Sequence, residues 1–314
     1  MMGMMRRAWV GALLLALAVI VAACGGGTGG GTSSGGGQQT GAGSGGSSGG
    51  GSAGADQVIT WKHQSVLADT HFSTQNEQWW AEQITQKTNG RLKFEMYPGG
   101  GLNIAGSQVL RAVGDGLMDS GQMWGAHVAG ELRITEVMEL PYLIPYDIEL
   151  RKRIVERLWP YWEEEFRKMG VELIAVSQVD ARNAFTKQPV SSLADLQGMK
   201  LRTQGPVETD FTAALGASPV TVEWGEVYTA LQQGVVDGYW VTYSATFASK
   251  LYEQVKYAWE TSYDGATWYI IANREAFEAL PEDIQKIVKD TGKEVSVRLA
   301  DMVLSVDEEF RSKM

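Results

Sequence analysis

The chain has 314 residues, 44% of them hydrophobic, and a formal net charge of −10 at pH 7. This acidic balance argues against binding to nucleic acid and against docking on anionic lipid, because both need a basic surface. Cys24 is the only cysteine, so no disulfide can form within the chain, and a folded part of about 255 residues can build its core without one. Three histidines, with no H-E-x-x-H, C-x-x-C or phosphate-loop motif, give no support to catalysis, a metal or another cofactor.

Residues 1–23 have the composition of a secretory signal. Arg6 and Arg7 precede an apolar stretch, Trp9 to Ala22, which is shorter than the about 20 residues of a membrane-spanning helix. The stretch ends in V-A-A-C at Cys24, a pattern typical of lipoproteins, in which the cysteine thiol receives a diacylglyceryl group. We therefore expect an extracytoplasmic protein anchored to the cytoplasmic membrane through lipid on Cys24. The alternative is a buried free thiol.

Residues 24–55 follow as a predicted lipidated cysteine and linker, composed almost entirely of Gly, Ser, Thr, Ala and Gln. Such a segment cannot bury enough apolar area to offset the loss of chain entropy, so disorder is expected. As a flexible coil it would have a root-mean-square reach of roughly 30 Å. The predicted role is a tether between the membrane and the folded part.

Strand and helix patterns alternate after this linker. The strand–helix–strand–helix–strand order is assigned to 57–63, 76–90, 91–98, 107–113 and 117–124. This order predicts a parallel sheet with right-handed crossovers. Asn76 is the expected cap of the first helix, and Trp124 the residue that follows the third strand.

A charged helical tract spans 146–168, and Pro160 within it predicts a break or a new start. The run Glu163–Glu165 is most simply a solvated helix face. The segment 171–178 is a predicted strand, and 181–186 is either its continuation or its partner.

The stretch 198–243 carries the clearest functional signal. Three short strands, 199–201, 219–222 and 235–237, alternate with two helices, and they deliver a guanidinium and several aromatic rings at their ends. Ligands of open α/β sheets lie outside the carboxyl ends of the strands. The stretch therefore predicts one wall of a cleft for an anionic small molecule.

The remaining segments are a predicted helix at 245–255, a strand at 268–273 and a final helical region from Pro281. Together with the preceding elements, they are better explained by two α/β lobes than by one.

Several ordered motifs resemble the solute-binding proteins of TRAP transporters (tripartite ATP-independent periplasmic transporters), the DctP-type extracytoplasmic receptors. The motifs are NGRLKFEMYPGGGL (89–102), LMD (117–119), LPYLI (140–144), ARNAFT (181–186), DLQGMKLRT (195–203), LGASPVTVEWGEVYTALQQGVVDG (215–238) and KLYEQVKY (250–257). The resemblance covers nearly everything after residue 56.

The resemblance implies an α/β, two-lobed periplasmic-binding-protein-like fold with the ligand cleft between the lobes. One lobe would comprise 56–180 plus 263–314, and the other 181–262. Family members usually continue with another strand and further helices, so we expect this chain, which stops at Met314, to be shortened relative to them.

The resemblance also implies the ligand-binding residues. Arg202 stands at the arginine of G-x-K-x-R, which clamps the ligand carboxylate in the family. Two parallel hydrogen bonds from a guanidinium match a carboxylate, which a lysine cannot provide. Arg182 resembles the second arginine of the family's cleft, with a structural salt bridge as the alternative role.

Aromatic residues would line the rest of the site. The resemblance places five aromatic residues at positions that face the ligand in the family. They are Trp224, Trp124, Tyr239, Trp240 and Tyr243. At the positions after Gly238, relatives often have three polar residues that include a glutamate, and a subgroup uses that region to hold a cation. Tyr239 and Trp240 cannot supply the carboxylate, so no metal is expected. Aromatic walls favour a carboxylate with an apolar or aromatic body.

His63 and Gln64 end the first strand and could also reach the cleft, although a lone histidine is more often structural. The predicted function is a receptor that captures an organic acid and delivers it to the membrane subunits of a TRAP permease. Two alternatives stay open at this stage: the binding protein of an ATP-driven importer, and a hydrolase or lyase on a two-lobed fold.

Overall fold

The computed structural model describes residues 58–313, except for the side chains at 304, 307 and 310. Cys24, the predicted signal and the predicted linker lie outside these residues. The strands of the described part are β1 (Ile59–Gln64), β2 (Leu92–Tyr97), β3 (Ser120–Trp124), β4 (Val171–Thr186), β5 (Lys200–Thr203), β6 (Ser218–Thr221), β7 (Gly238–Thr242), β8 (Tyr257–Trp259) and β9 (Gly265–Asn273).

Helices connect and cover these strands. They are α1 (Phe72–Lys87), α2 (Val109–Gly114), α3 (Gly125–Val128), α4 (Ile148–Lys168), α5 (Pro206–Ala214), α6 (Val227–Gln232), α7 (Tyr243–Ala248), α8 (Arg274–Glu278) and α9 (Glu282–Arg311). Among residues 58–313, no helix is both long enough and apolar enough to cross a membrane.

The first sheet has the strand order β2-β1-β3-β9-β4. β1 pairs in parallel with both β2 and β3, which confirms the parallel arrangement predicted for the first three strands. β9 then runs antiparallel to β3 and to β4, so the sheet as a whole is mixed. Alternate residues of β9 reach opposite faces of the sheet: Tyr269 and Ile271 enter one apolar cluster, and Ile270 and Ala272 enter another.

β4 is one long strand that belongs to both sheets, so 181–186 continues 171–178 rather than pairing with it. Its first part pairs with β9, and from Arg182 onward it pairs with β7 and, at its end, β8. A register shift lies between Gln178 and Ala181, where the strand passes from one sheet to the other. All of its residues are buried, so the connection between the sheets is enclosed.

The second sheet continues from β4 in the order β7-β5-β6. β5 is parallel to both β6 and β7, so the carboxyl ends of all three strands lie at the same edge. Two further apolar clusters cover this sheet. We call the part built on the first sheet lobe I and the part built on the second sheet lobe II. The residue boundaries predicted from the sequence, 56–180 plus 263–314 for one lobe and 181–262 for the other, stay predictions.

The strand predicted at 235–237 is wrong, since these residues form a turn and the strand starts at Gly238. Gly234 has a φ of 72°, in the left-handed region that ends helices. The amide of Val235 is then used by the end of α6, donating to Ala230 O at 2.9 Å. Asp237 accepts from Lys200 N at 3.0 Å and so joins the turn to β5.

Two helix boundaries also differ from the prediction. α1 starts at Phe72, four positions before Asn76, because His71 Nδ1 accepts from Ser73 N and caps the helix. Asn76 instead donates to Val295 O of α9 at 3.0 Å. The helix predicted at 245–255 ends at Ala248, where the chain turns through Lys250 with a φ of 53°.

Pro160 does not interrupt α4, contrary to the prediction. Val155, Trp162 and Phe166 are buried on the same face of this helix, on both sides of the proline. Their seven- and four-residue spacing is that of an amphipathic helix. Their burial therefore holds both halves against lobe I as one continuous element.

Candidate functional site

A cavity lies between the two sheets, at the carboxyl ends of β3, β5 and β7. Its lining comes from both lobes and from the strands β4 and β9. The lining residues are Val66, Leu67, His71, Trp124, His127, Val179, Arg182, Gln204, Trp224, Val241, Thr242, Ala245, Ala266 and Trp268.

The cavity is narrow. The gaps among its side chains amount to about 390 Å³ with the mouth included, but only about 20 Å³ can be reached by the centre of a water molecule. That smaller volume accommodates about one water. A small organic molecule can therefore enter only if the two lobes move apart.

Arg182 is the charged side chain in the cavity wall. It is 2% exposed and forms a two-point ion pair with Asp264, in which Nε donates to Oδ1 at 2.6 Å and Nη2 donates to Oδ2. Its guanidinium carbon lies 4.7 Å from the ring centre of Trp124 and 4.9 Å from that of Tyr263. Nη1 makes no hydrogen bond, so Asp264 fixes Arg182 in place while one nitrogen keeps its donor capacity unused.

Acidic side chains surround Arg182. Besides Asp264, Glu139 Oε2 lies 3.3 Å from Nη2, and Glu208 Oε1 lies 3.7 Å from Nη1. Burial alone would lower the pKa of Arg182, but the charges of Asp264, Tyr263 and Glu139, together with the hydrogen bond to Asp264, hold the pKa well above its usual value. Burial raises the pKa of all three carboxyl groups despite the nearby guanidinium.

Arg202 is 1% exposed and is not among the residues that line the cavity. Its Nε donates to Val222 O at 2.9 Å, its guanidinium carbon lies 5.5 Å from the ring centre of Trp224, and its Nη1 has no partner. Burial lowers its pKa to about 10, so it stays charged at neutral pH. Trp224 is half-buried and lines the cavity, so Arg202 contacts a lining ring without being a lining residue itself.

Unpaired polar atoms concentrate at this site. Buried polar groups are nearly always hydrogen-bonded, so each exception requires an explanation. Two of the buried unpaired side-chain atoms in the described residues, Trp80 Nε1 and Gln122 Oε1, lie elsewhere in lobe I. The others are His127 Nδ1, Glu139 Oε2, Arg182 Nη1, Arg202 Nη1 and Gln204 Nε2, all in the cavity wall or directly behind it. Three of these atoms, His127 Nδ1, Arg182 Nη1 and Gln204 Nε2, belong to residues that line the cavity and are the candidates to pair with a polar ligand.

His127 and Gln204 face each other across the cavity from different lobes. His127 lies on α3 of lobe I, and Gln204 follows β5 of lobe II. Their side chains are joined by a 3.0 Å contact between Nε2 and Oε1. Burial, and secondarily the charge of Arg202, lowers the pKa of His127 to about 4, so its ring is neutral at neutral pH.

Other contacts also join the lobes. His71 Nε2 lies 3.3 Å from Ser244 Oγ, and Ser107 Oγ donates to Glu223 Oε1 at 2.6 Å. Gly205, at the start of α5, lies against lobe I so closely that a Cβ there would be 2.7 Å from the carbonyl oxygen of Ala126. These contacts exist only while the lobes are together.

Aromatic rings form the apolar part of the wall. Trp124 is anchored by a 2.6 Å hydrogen bond from Nε1 to Glu139 Oε1, and its ring stacks on Trp268 with centroids 6.0 Å apart. Trp224 closes the other side. Two of the five aromatic residues predicted for the site, Trp124 and Trp224, therefore line the cavity.

The other three predicted aromatic residues are packed elsewhere. Tyr239 and Trp240 are fully buried in separate apolar clusters, where Trp240 Nε1 donates to Thr212 Oγ1 at 2.9 Å. Tyr243 donates to Glu260 Oε1 at 2.8 Å. The misplaced strand explains the difference: β7 starts at Gly238, so its carboxyl end, and with it the cavity wall, is formed by 241–242.

His63 and Gln64 also point away from the cavity. Gln64 holds the following loop, with Nε2 donating to Ile104 O and Oε1 accepting from Leu102 N. His63 lies between Ser120 Oγ at 2.9 Å and Glu77 Oε2 at 3.0 Å. This Ser–His–Glu arrangement has the order of a catalytic triad, but all three side chains are at most 2% exposed. A substrate has no access, so the arrangement is a structural network.

Sequence reasoning missed several lining residues. His127 was one of only three histidines, but nothing in its neighbours marked it. Gln204 could have been found, because it follows β5 directly and the carboxyl ends of parallel strands form the site. Trp268 starts the predicted strand 268–273, and the strand pattern gave it no role in the cleft. In residues 58–313, no group of three or more His, Cys, Asp or Glu is arranged to hold a metal ion.

Two α/β lobes share a long strand and enclose a cavity at their strand ends, which apolar side chains and a few polar ones line. This is the architecture of a solute receptor. The comparison with known families agrees: the bacterial extracellular solute-binding protein family 7, DctP, matches residues 63–314. The chain belongs to this family.

Relatives with a named ligand have low sequence identity to this chain, but the similarity extends over most of its length. The ectoine/5-hydroxyectoine-binding periplasmic protein UehA of Ruegeria pomeroyi is 24% identical over 240 residues, which are 75% of this chain and 70% of UehA. The 2,3-diketo-L-gulonate-binding periplasmic protein YiaO of Escherichia coli is 22% identical over 213 residues, 67% of this chain and 65% of YiaO.

Solved structures share the fold. DctP7, a Bordetella pertussis extracytoplasmic solute receptor binding pyroglutamic acid, superposes with a TM-score of 0.78 at 24% identity, covering 82% of this chain and 84% of DctP7. A TRAP periplasmic solute-binding protein of Desulfovibrio salexigens with bound orotic acid has a TM-score of 0.77 at 25% identity, with 81% and 82% covered.

These findings confirm the predicted α/β, two-lobed fold and the predicted membership among TRAP solute-binding proteins. They also decide between the alternatives left open by the sequence. The family consists of binding proteins rather than enzymes, and its relatives are TRAP receptors rather than parts of ATP-driven importers.

Proposed function

We propose that this protein is the receptor of a TRAP transporter for an organic acid, which it binds between its lobes and delivers to the membrane permease. The observation that carries the proposal is the concentration of unpaired buried polar atoms around a cavity at the strand ends. Relatives that bind pyroglutamic acid and orotic acid support the same ligand class.

Arg182 is the proposed primary contact for the ligand carboxylate. Asp264 occupies its Nε and Nη2, which leaves Nη1 without a hydrogen bond and with Glu208 Oε1 at 3.7 Å, so Nη1 is the proposed donor to the ligand. Arg202 is the proposed second contact, since it lies beside the lining residue Trp224 and its own Nη1 has no hydrogen-bond partner. This reverses the order of importance that the sequence suggested, since Arg182 is in the wall and Arg202 is not.

The lining favours a single carboxylate. Arg182 is the one lysine or arginine among the described residues that line the cavity, and both lining histidines are neutral at neutral pH because burial lowers their pKa. A second carboxylate would be buried without a cation, which is costly. The rings of Trp124, Trp224 and Trp268 suit a flat or apolar ligand body.

Closure is the proposed mechanism. A ligand that bridges Arg182 in one wall and His127 in the other stabilises the joined form by its differential affinity, together with the Ser107–Glu223 contact. The permease would then recognise the joined lobes. Lipid on Cys24, with residues 24–55 as a tether, would keep the receptor near the permease.

The proposed function can be tested by titration calorimetry with a panel of aliphatic, keto, sugar and aromatic acids. Arg182→Lys keeps a positive charge but removes the free guanidinium nitrogen, and loss of one partner from a buried charged pair should cost about 2–5 kcal/mol of binding. Arg111→Lys, at an exposed ion pair, is the matched control. Failure of every acid to bind a folded protein would refute the ligand class, and tight binding of only small polar acids such as malate would refute the apolar ligand body.

The anchor needs a separate test, because residue 24 lies outside the described part. Mass spectrometry of the protein purified from membranes should show a diacylglyceryl group on Cys24. A Cys24→Ser variant should then be released from the membrane, and an unmodified, freely released wild-type protein would contradict the anchor.

A further inference from the structure

The contact between His127 and Gln204 has a consequence for ligand chemistry. Because the His127 ring is neutral at neutral pH, it carries one N–H and one acceptor nitrogen. The Gln204 amide carries an acceptor oxygen and a donor NH₂. One hydrogen bond of 3.0 Å joins the two side chains, and the remaining polar atom of each is unpaired and buried.

Two assignments are compatible with this contact. If His127 Nε2 donates to Gln204 Oε1, the free atoms are the acceptor Nδ1 and the donor Nε2 of the amide. If the amide is turned round, its NH₂ donates to the ring, and the free atoms are an Nδ1–H donor and the amide oxygen. In both cases the pair leaves one donor and one acceptor unused.

The surroundings hold the His127 ring in this position. The His127 ring packs edge-on against Trp124, with centroids 5.4 Å apart, so it cannot turn away easily. Gly106 lies against Nδ1, where a Cβ would be 2.6 Å away, so the glycine permits this ring position. Both residues line the cavity together with Arg182.

Taking the organic-acid receptor function as given, we propose that the His127–Gln204 pair selects monocarboxylates whose body carries a hydrogen-bond donor beside an acceptor, as in a lactam. The carboxylate meets Arg182, and the N–H and C=O of the ligand meet the two free atoms of the pair. An acid without such groups would close the cleft over two unpaired buried polar atoms, which lowers its affinity.

Three acids of similar shape test this directly by calorimetry on the full chain. Pyroglutamate has both groups, its ring-oxygen lactone analogue keeps only the acceptor, and cyclopentanecarboxylate has neither. The lactam should bind about tenfold more tightly than the lactone, since one hydrogen bond is lost and its partner is left buried. Cyclopentanecarboxylate should be the weakest of the three.

Variants then assign the preference to the pair. His127→Phe keeps a ring against Trp124 but removes both nitrogens, and Gln204→Leu removes the partner; in each, the lactam and lactone should bind with similar affinity. Gln232→Leu, on the exposed side of α6, should keep the wild-type ratio.

Equal binding of the three acids to the wild type, or a lactam preference that survives in both variants, would overturn the inference while the receptor function stands. If none of the three acids nor any other carboxylate bound, the receptor function would fall and the inference with it.

Discussion

Closure of the cleft should depend on the absence of a side chain at Gly205. This residue is the N-cap of α5 in lobe II and faces lobe I, where a Cβ would lie 2.7 Å from Ala126 O, 2.8 Å from Glu136 Oε1 and 3.0 Å from Ala126 Cβ. Its φ of −140° and ψ of 171° are extended values that any residue adopts. Gly205→Ala is therefore compatible with the fold of lobe II itself and conflicts only with the joined form.

The size of the effect follows from these distances. The nearest atom is a backbone carbonyl, which cannot move aside cheaply, so relief requires the lobes to separate by several tenths of an ångström. Overpacking of this kind costs about 1–3 kcal/mol. If the strain is felt only on closure, the ligand dissociation constant should rise by about 5- to 150-fold.

Titration calorimetry of the tightest acid from the panel measures this change, and thermal unfolding without ligand reports whether the fold is intact. Gly225→Ala is the matched control, since no atom lies within 4 Å of a Cβ there, and it should bind like the wild type. If Gly205→Ala bound with an affinity within a factor of about two of the wild type, the proposed contact of Gly205 on closure would be refuted. The strain expected from overpacking should weaken binding by more than that factor.

Three further predictions concern buried charges. Asp264→Asn removes the negative charge that pairs with Arg182 and should lower the free energy of unfolding by about 3–5 kcal/mol in urea denaturation. Glu278→Gln, at an exposed ion pair, should change it little. Similar losses for the two variants would contradict the role of the buried pair. Burial raises the pKa of Glu136 from 4.5 to about 7, so the stability that its protonated form contributes is present below pH 4.5 and lost as the pH rises through 7. Glu136→Gln should remove this loss, measured as the difference between melting curves at pH 5 and pH 8. An unchanged pH dependence in the variant would contradict the role of Glu136. Burial lowers the pKa of His71 from 6.5 to about 3, so the stability that its neutral form contributes is present above pH 6.5 and lost as the pH falls toward 3. The His71 resonances in NMR spectra should titrate with this lowered pKa. Titration near 6.5 would contradict the burial of His71.

The order of strands and helices could be predicted from the sequence because their hydrophobic patterns are distinct. Apolar runs bounded by glycines and polar turns located β1, β2, β5 and β6 to within a few residues. The strand at β7 was misplaced because Val235 and Val236 look like a strand but belong to the end of a helix. A hydrophobic pair after a helix-ending glycine packs in either role, and only tertiary contacts distinguish the two.

The candidate site shows the same limit. Arg182, Trp124 and Trp224 were expected in the cleft and line the cavity. The side-chain directions of Tyr239 and Trp240 depend on strand register, where a shift moves a residue from the site to the core. The pairing of Arg182 with Asp264 joins residues 82 positions apart, which no local pattern reveals.

The contribution of His127 and Gln204 could not have been predicted from either residue alone. They come from different lobes and meet only where the lobes join. Their value for ligand recognition lies in the atoms that each leaves unpaired, which requires coordinates for both.

The most direct test of the central claim is a crystal structure of the protein with the acid that binds most tightly in the panel. We expect the ligand between the lobes, with its carboxylate within hydrogen-bonding distance of Arg182 Nη1 and its body against Trp124 and Trp224. A ligand bound outside this cavity, or one whose carboxylate avoids Arg182, would contradict it.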